Sequence, residues 1–581
     1  MSVILGVHAN HGDAAASIVV DGKLLAAAQE ERFRRAAHWS GFPAHAIRFC
    51  LAEAKLRLAD VHVVAVSEDP RANDLERLTQ MVQTRPNLGV VMQQLRNRLQ
   101  PHSLEDSLAQ AFPEERFGGR IAFVEHHVAQ LAAAYYTSPW QEAVGLSLGG
   151  LRDFASAAWC YAHQNQLEID GRLHFPHSLA LFYEAMTQYL GFARGHEERV
   201  MELSARGKPT QVESLAKVVC LRGDGGFELD FRFLRQPSWA SSQEVHGADA
   251  TLGPGYTAAL EDLLGPARAP GASIEPRHLD IARSVQAMYE RAFFHLLHAI
   301  HRKRPSLHLV LAGSCAFNAV ANGKITLNTP FKRAYVPPAA GDAAGAVGAA
   351  LFATFQERGA KHHGPLAHAY LGPDFEADEV ASLLANRRSE LEAARVRLQR
   401  PERPAERTRA VVELLERGKL VALCEGRAEW GFQPLGHRVV LADPRRPEAR
   451  EALARALAID PAVASLGTSI RRDHAKDWYA LHDDVPFMNK VFPLRPEKLP
   501  LVPGAARADG TGRVHTVERE SSSTLFELLT LLQTRSGIPM LLVAGLSQND
   551  VLVTTPSEAL ARFVDSPLDA LVLGDWLLER T

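Results

Sequence analysis

The sequence predicts a duplicated α/β domain followed by a second, smaller α/β domain. Three observations lead there. The chain has 581 residues, more than one core ordinarily organises. A short buried run followed by a hairpin occurs twice in its first half. Between Lys361 and Ala377 the composition turns to His, Gly, Pro and Asp; this reads as a boundary and divides the chain into 1–365 and 366–581.

The elements follow in order. Val3 to Val7 is an apolar strand. Ala16 to Val20, the turn Asp21-Gly22, and Lys23 to Ala26 spell a hairpin, because Asp-Gly tolerates the left-handed backbone of a two-residue turn. The pattern returns at Ala143 to Leu148, then Gly149-Gly150, then an answering strand from Phe154 to Tyr161. Actin and the sugar kinases are built from two such halves, with nucleotide phosphates held in the cleft. Pro70 to Pro113 reads as a helical insertion. A long helix is expected from Asp280 to Arg304, then a strand from Leu307 to Ala312. That strand ends in Gly313-Ser314-Cys315-Ala316, and a strand ending in small residues before a helix can cradle an anion. Pro338 to Gly345 opens the next helix. Beyond the boundary, Leu420 to Cys424 reads as a strand and Ser522 to Thr534 as a helix. Glu392 to Arg409, rich in Arg and Glu, reads as a solvated linker or helix face.

Composition narrows the function classes. Hydrophobic residues make up 46% and charged residues 23%, with a net charge of -3. Neither nucleic acid nor a membrane is expected as a standing partner. The five cysteines are scattered, never at C-x-x-C spacing, so neither a disulfide framework nor a zinc ribbon is expected. With no signal-peptide pattern at the start, a cytoplasmic location is expected.

An ordered set of motifs adds a family. It begins with Gln29-Glu30-Glu31-Arg32-Phe33, His38 and Gly41-Phe42-Pro43. Glu125-His126-His127, Phe175-Pro176-His177-Ser178-Leu179, Leu190-Gly191-Phe192 and Gly207-Lys208-Pro209 follow. Next come Asn318, Val320-Ala321-Asn322-Gly323-Lys324 and Gly341-Asp342. The second domain carries Gly426-Arg427, Glu429-Trp430-Gly431, Leu435-Gly436, Leu441-Ala442-Asp443-Pro444-Arg445, Asp509-Gly510-Thr511 and Thr555-Pro556. The set resembles the antibiotic and nodulation-factor carbamoyltransferases along nearly the whole chain. The resemblance implies an actin-like carbamoyl-transfer domain and a domain like carbamoyl-adenylate synthases. ATP and carbamoyl phosphate would give carbamoyl adenylate. The carbamoyl group would then pass to a hydroxyl or amine of a small-molecule acceptor, beside an iron-type divalent metal. It leaves a homodimer or a paralogue partner open.

Site residues follow from the same resemblance. His11 and Asp13 stand near the family's catalytic His-Asp pair, although ungapped counting back from Asp21 places Gly12 where the His belongs. Lys208, Gly313, Asn318, Lys324, Gly341 and Asp342 are the nucleotide and adenylate candidates. Arg427, Arg438 and Arg513 are the carbamoyl phosphate candidates. His126 and Asp342 are the metal candidates, in a site weakened by Gln130 in place of a second His and by Gly149 in place of an Asp. Asp153 is a displaced substitute for that Asp. Further departures are Gln433 for an arginine, apolar Val543, Ala544 and Gly545 for polar groups, and Glu202 for a glycine, bringing charge toward the nucleotide path. Three readings follow: a working carbamoyltransferase, an inactive member acting as a binding partner, and a reassigned acyl-transfer or condensation enzyme. The first is preferred because the framework is kept through both domains.

Overall fold

The structure is a computed structural model that describes residues 1–77, 79, 104–237, 253–357, 364–548 and 550–581. The chain forms two compact units. One comprises Met1–Glu197, Pro209–Phe317 and Asn328–Leu366; the other comprises Glu198–Lys208, Asn318–Leu327 and Ala367–Thr581.

The first unit holds two five-stranded sheets. Strands β1 (Val3–His8), β2 (Ala15–Val20), β3 (Lys23–Gln29), β4 (Val63–Val66) and β5 (Arg120–Phe123) lie in the order β3-β2-β1-β4-β5. β1 pairs antiparallel with β2 and parallel with β4. Val20 faces Lys23 across the Asp21-Gly22 turn, both turn residues having positive φ, as the sequence predicts. The second sheet uses β6 (Glu142–Arg152), β7 (Ala155–His163), β8 (Gln166–His174), β11 (His308–Ala312) and β12 (Arg333–Tyr335), in the order β12-β11-β6-β7-β8. β9 (Val219–Leu221) and β10 (Phe227–Leu229) form a separate pair. Read from the antiparallel edge, both sheets run third, second, first, fourth, fifth. This repeated order is the duplicated actin and sugar-kinase-like architecture.

Small residues let the layers close. Helix Ala344–Phe352, AGAVGAALF, lies against helix His126–Tyr136 so tightly that a side chain at Gly348 would meet the carbonyl oxygen of Ala129 at 1.6 Å. A side chain at Gly6 in β1 would meet the Ala346 carbonyl at 1.9 Å. The hydrophobic drive buries this helix on all sides, and only Gly and Ala permit such approach. Asp342, just ahead of it, is thereby fixed against β1 and helix His126–Tyr136.

The long helix spans Pro276–Lys303, with Pro at its first turn. Of the expected helical insertion, helix Leu104–Ala111 is described; residues 78 and 80–103 lie outside the described residues.

The second unit is built on one nine-stranded sheet: β13 (Val396–Gln399), β14 (Val421–Cys424), β15 (Arg438–Ala442), β16 (Gly467–Arg471), β17 (Lys490–Pro493), β18 (Thr511–Val517), β19 (Met540–Gly545), β22 (Ala570–Leu573) and β23 (Trp576–Arg580). Its order is β13-β23-β22-β14-β15-β19-β16-β18-β17; β20 (Ser547–Gln548) and β21 (Val551–Leu552) pair alone. The segment expected as a solvated linker or helix face contains edge strand β13, paired with β23, and the start of helix Pro404–Glu416. Its charges had hidden one buried position, Val396. Among the described residues no helix is long and apolar enough to cross a membrane.

Candidate active site

In the first unit, polar side chains converge where the strands of both sheets end. His8 closes β1, Ser67 and Glu68 follow β4, His126 follows β5, Arg152 closes β6 and Asp342 lies beyond β12. Carboxyl ends of strands are where open α/β sheets place ligands. Asp342 is the hub. His126 Nε2 lies 3.4 Å from Oδ1, and Gln130 Nε2 donates to the same oxygen at 3.4 Å. Arg152 Nη2 lies 3.4 Å and His8 Nε2 3.9 Å from Oδ2. Burial alone would raise the Asp342 pKa, but His126, Arg152 and His8 together hold it well below the usual carboxylate range.

The histidines differ in role. Burial depresses His8 to about 3, so it is neutral at pH 7 and its approach to Asp342 is a polar contact, not an ion pair. Its Nδ1 lies 2.7 Å from Ser67 Oγ. His11 is also lowered, by burial first and then by Arg152, and its Nε2 sits 3.7 Å from Glu68. His127 is fully buried and depressed to about 3 by that burial. Its ring nitrogens face Ser147 Oγ at 2.8 Å and the Ala155 carbonyl at 3.2 Å, a structural anchor under the helix. Ser147 Oγ donates to Gln130 Oε1 at 2.7 Å.

The expected metal does not fit these donors. Among the described residues no group of three or more His, Cys, Asp or Glu is placed to hold a metal ion. Gln130 turns its amide oxygen to Ser147 and its NH2 to Asp342, presenting a donor where a metal needs a lone pair. A side chain at Gly149 would crowd the Ser314 amide nitrogen at 3.0 Å. Asp153 is no substitute ligand. Its Oδ2 accepts the backbone N–H groups of His126 at 2.8 Å and Asp69 at 3.0 Å, capping helix His126–Tyr136.

The amino-terminal motif is largely a frame. The buried Glu30 carboxylate accepts the N–H groups of His45 and Ala46, and so caps helix Ala44–Glu53. Glu31 Oε2 accepts the His38 N–H. His38 Nδ1 in turn reaches Asp13 Oδ1 at 2.8 Å. Asp13, at φ 60°, is thus tied to its loop wall.

Other candidates divide between the units. Gly313 and Gly341 belong to the first. Gly313, at φ 86°, fits under the Leu148 backbone, which a side chain would meet at 2.1 Å. Lys208, Asn318 and Lys324 belong to the second, where Lys208 is exposed and Asn318 caps the short helix Ala319–Asn322. Cys315 is buried, its thiol pushed up to about 12 by that burial, and is inert.

The second unit gives its arginines backbone partners. Arg427 donates to the carbonyls of Gly372 at 3.1 Å and Leu371 at 2.7 Å. Arg438 is completely buried and donates to the carbonyls of Glu425, Gly426 and His437. Both guanidinium groups hold backbone carbonyls. Glu429 does the same with opposite polarity, accepting the N–H groups of Leu435, His437 and Arg438. Arg513 Nη1 donates to Gln433 Oε1 at 3.3 Å. Glu202, expected to carry charge toward a nucleotide, is buried in an ion pair with Arg507 at 3.1 Å. Val543 and Ala544 are buried in β19.

His8, Glu68 and Arg152 were not singled out by motif. The available signal was position, since each stands at or just past a strand's carboxyl end.

Comparison with known proteins agrees with the motif order. A family model described as Carbamoyltransferase N-terminus matches residues 3–351, and one described as Carbamoyltransferase C-terminus matches 412–580. An uncharacterized protein of Synechocystis sp. is 29% identical, covering 100% of this chain and 97% of its own. Nodulation protein NolNO of Sinorhizobium fredii is 29% identical over 98% of this chain and 79% of its own. Nodulation protein NolO of Bradyrhizobium diazoefficiens is 27% identical over 79% of each. Component A of the (R)-2-hydroxyglutaryl-CoA dehydratase of Acidaminococcus fermentans aligns with 62% of this chain and 100% of its own, at 13% identity and a TM-score of 0.33. That likeness is too distant to carry an argument, and the fold assignment rests on strand order. With family matches in sequence over both halves, the chain belongs to the carbamoyltransferase family.

Proposed function

We propose that the chain transfers a carbamoyl group from carbamoyl phosphate, by way of carbamoyl adenylate, to a hydroxyl or amine of a specialised metabolite. The observation that carries this is the pair of carbamoyltransferase matches, 3–351 and 412–580, in family order. In this reading water cleaves carbamoyl phosphate to carbamate and phosphate, and a carbamate oxygen then bonds to the α-phosphorus of ATP as pyrophosphate leaves, giving the adenylate. The acceptor's oxygen or nitrogen then bonds to the carbamoyl carbon, AMP leaves, and the acceptor's proton passes to a base.

His11 is the proposed base. Burial and Arg152 keep its imidazole neutral and able to accept a proton. Asp13 orients the same loop through His38. Gly313 and Gly341 are proposed to serve the adenylate in the first unit, and Lys208, Asn318 and Lys324 are proposed nucleotide contacts of the second. Arg513 is the remaining arginine proposed for an anion in the second unit. No step is assigned to a metal.

With Arg427 and Arg438 engaged with carbonyls, adenylation is expected to be slow. Each charged hydrogen bond missing from a phosphate costs about 1.5–3 kcal/mol, and about 1.4 kcal/mol is tenfold in rate. The same engagement favours a second reading, a member that keeps the fold as a binding partner for a homologous chain. Incubation with carbamoyl phosphate and ATP tests the two. Pyrophosphate release with carbamoyl adenylate supports transfer; neither product above the buffer rate favours the binding role.

A further inference from the structure

The first unit puts a cation where the resemblance expects a metal. Arg152 is the last residue of β6, two positions past the Gly149-Gly150 pair that replaces an expected Asp. Its Nη2 reaches to 3.4 Å from Asp342 Oδ2. The other carboxylate oxygen faces His126 Nε2 and the Gln130 amide nitrogen. His126, Gln130, Arg152 and His8 each present a nitrogen to Asp342, and the guanidinium is the permanent cation among them.

We propose that the guanidinium of Arg152 is the fixed cation of this site, held by Asp342 in the place of a divalent metal ion. Asp342 is then a positioning residue. It anchors Arg152 at the end of β6. A desolvated carboxylate needs such a partner, because an uncompensated charge in that position would be strongly destabilising. The ligand class follows from the charge. A guanidinium beside two histidines suits an oxyanion, either a phosphate oxygen or the oxygen of a carbamoyl group under attack. That last assignment rests on the carbamoyl-transfer reading.

The argument makes an exclusion testable. One carboxylate cannot serve a guanidinium and a divalent ion at the same place, so removing the first should admit the second. As placed, His8, His126 and Asp342 do not form a metal-holding group; with Arg152 gone Asp342 Oδ2 is released, and His8 Nε2 and His126 Nε2, which face its two oxygens, are the nitrogen donors that would have to close on an ion.

The full chain is equilibrated with Co2+, desalted, and read by elemental analysis and visible absorption. The wild type and Arg152→Lys, which keeps the charge, are expected to retain far less than one ion per chain. Arg152→Ala and Arg152→Gln are each expected to retain close to one, with a ligand-field band that Asp342→Asn abolishes in either background. Using two neutral variants keeps the test decisive if one fails to fold. A full equivalent of ion held by the wild type overturns the proposal. So does Co2+ retention by both neutral variants no higher than wild type. Neither result depends on turnover, so the carbamoyl-transfer reading stands or falls separately, on adenylate formation.

Discussion

The Asp342 cluster of the first unit and the arginines of the second make an instructive contrast. Both gather charged side chains at positions where the family resemblance expects chemistry. In the first unit the groups meet side chain to side chain, with His8, His126, Gln130 and Arg152 all facing one carboxylate. In the second, Arg427 and Arg438 face backbone carbonyls, and Arg438 is wholly buried. Arg438, buried with both terminal nitrogens on carbonyls, can reach a phosphate only by abandoning them, whereas Arg427 spends Nε and Nη2 on two carbonyls out of five N–H donors. Motif position identifies where charge sits; the partner identifies what that charge is for.

The largest expected effect comes from the second unit's interior. If Glu202 is structural, Glu202→Ala leaves the buried Arg507 only the more distant, partly exposed Asp509 at 3.8 Å and should lower unfolding free energy by about 3 kcal/mol. Glu202→Ala combined with Arg507→Met should recover most of that loss. Denaturant unfolding of the two variants decides it, and a single-variant loss under about 1 kcal/mol would return Glu202 to the ligand path. Arg427→Ala comes next. Losing its bonds to Leu371 and Gly372 should cost about 1.5–3 kcal/mol. A stable Arg427→Ala protein whose carbamoyl phosphate affinity alone collapses would contradict the structural role. In the first unit, Ser147→Ala removes the hydroxyl shared by His127 and Gln130 and should cost about 1–3 kcal/mol. Thermal unfolding measures it, and an unchanged midpoint would mean the network contributes nothing to stability.

What was legible in the sequence depended on whether local chemistry set the outcome. Asp21-Gly22 fixed its hairpin because few residue pairs accept two positive φ angles. The small-residue run Pro338 to Gly345 marked the start of a helix, while its close packing, which only Gly and Ala permit, emerged from the structure. The meeting of His126 with Asp342 followed from motif order, as the two lie 216 positions apart in sequence. His8 was hidden because it ends an apolar strand and looks like its last core position. Arg152 was hidden because its partner is distant in the chain. The carbonyl partners of Arg427 and Arg438 were not legible because no sequence pattern tells a carbonyl-bound guanidinium from a phosphate-bound one. That distinction lies in the tertiary path of residues 371, 372, 425 and 426.

The smallest effect concerns the loop that carries His11 and Asp13. His38 hydrogen-bonds Asp13, and that bond with the carboxylate's charge raises the imidazole to about 9 from an ordinary 6.5, against an opposing contribution from burial. A pKa raised in the folded state stabilises the protein fully below about 6.5, and the contribution disappears as pH rises through about 9. The His38 side chain is 49% exposed, so solvent screens the pair and its share of global stability is small. The direct measurement is an NMR titration of the His38 ring. Its midpoint should lie well above 6.5 in the wild type and fall toward that value in Asp13→Asn. Thermal midpoints of the two proteins should differ at pH 6 and converge by pH 10, and added salt should narrow the gap at pH 6. A His38 that titrates normally in the wild type, or ignores the Asn substitution, would free Asp13 from its structural tie and restore it as a candidate for direct contact with substrate.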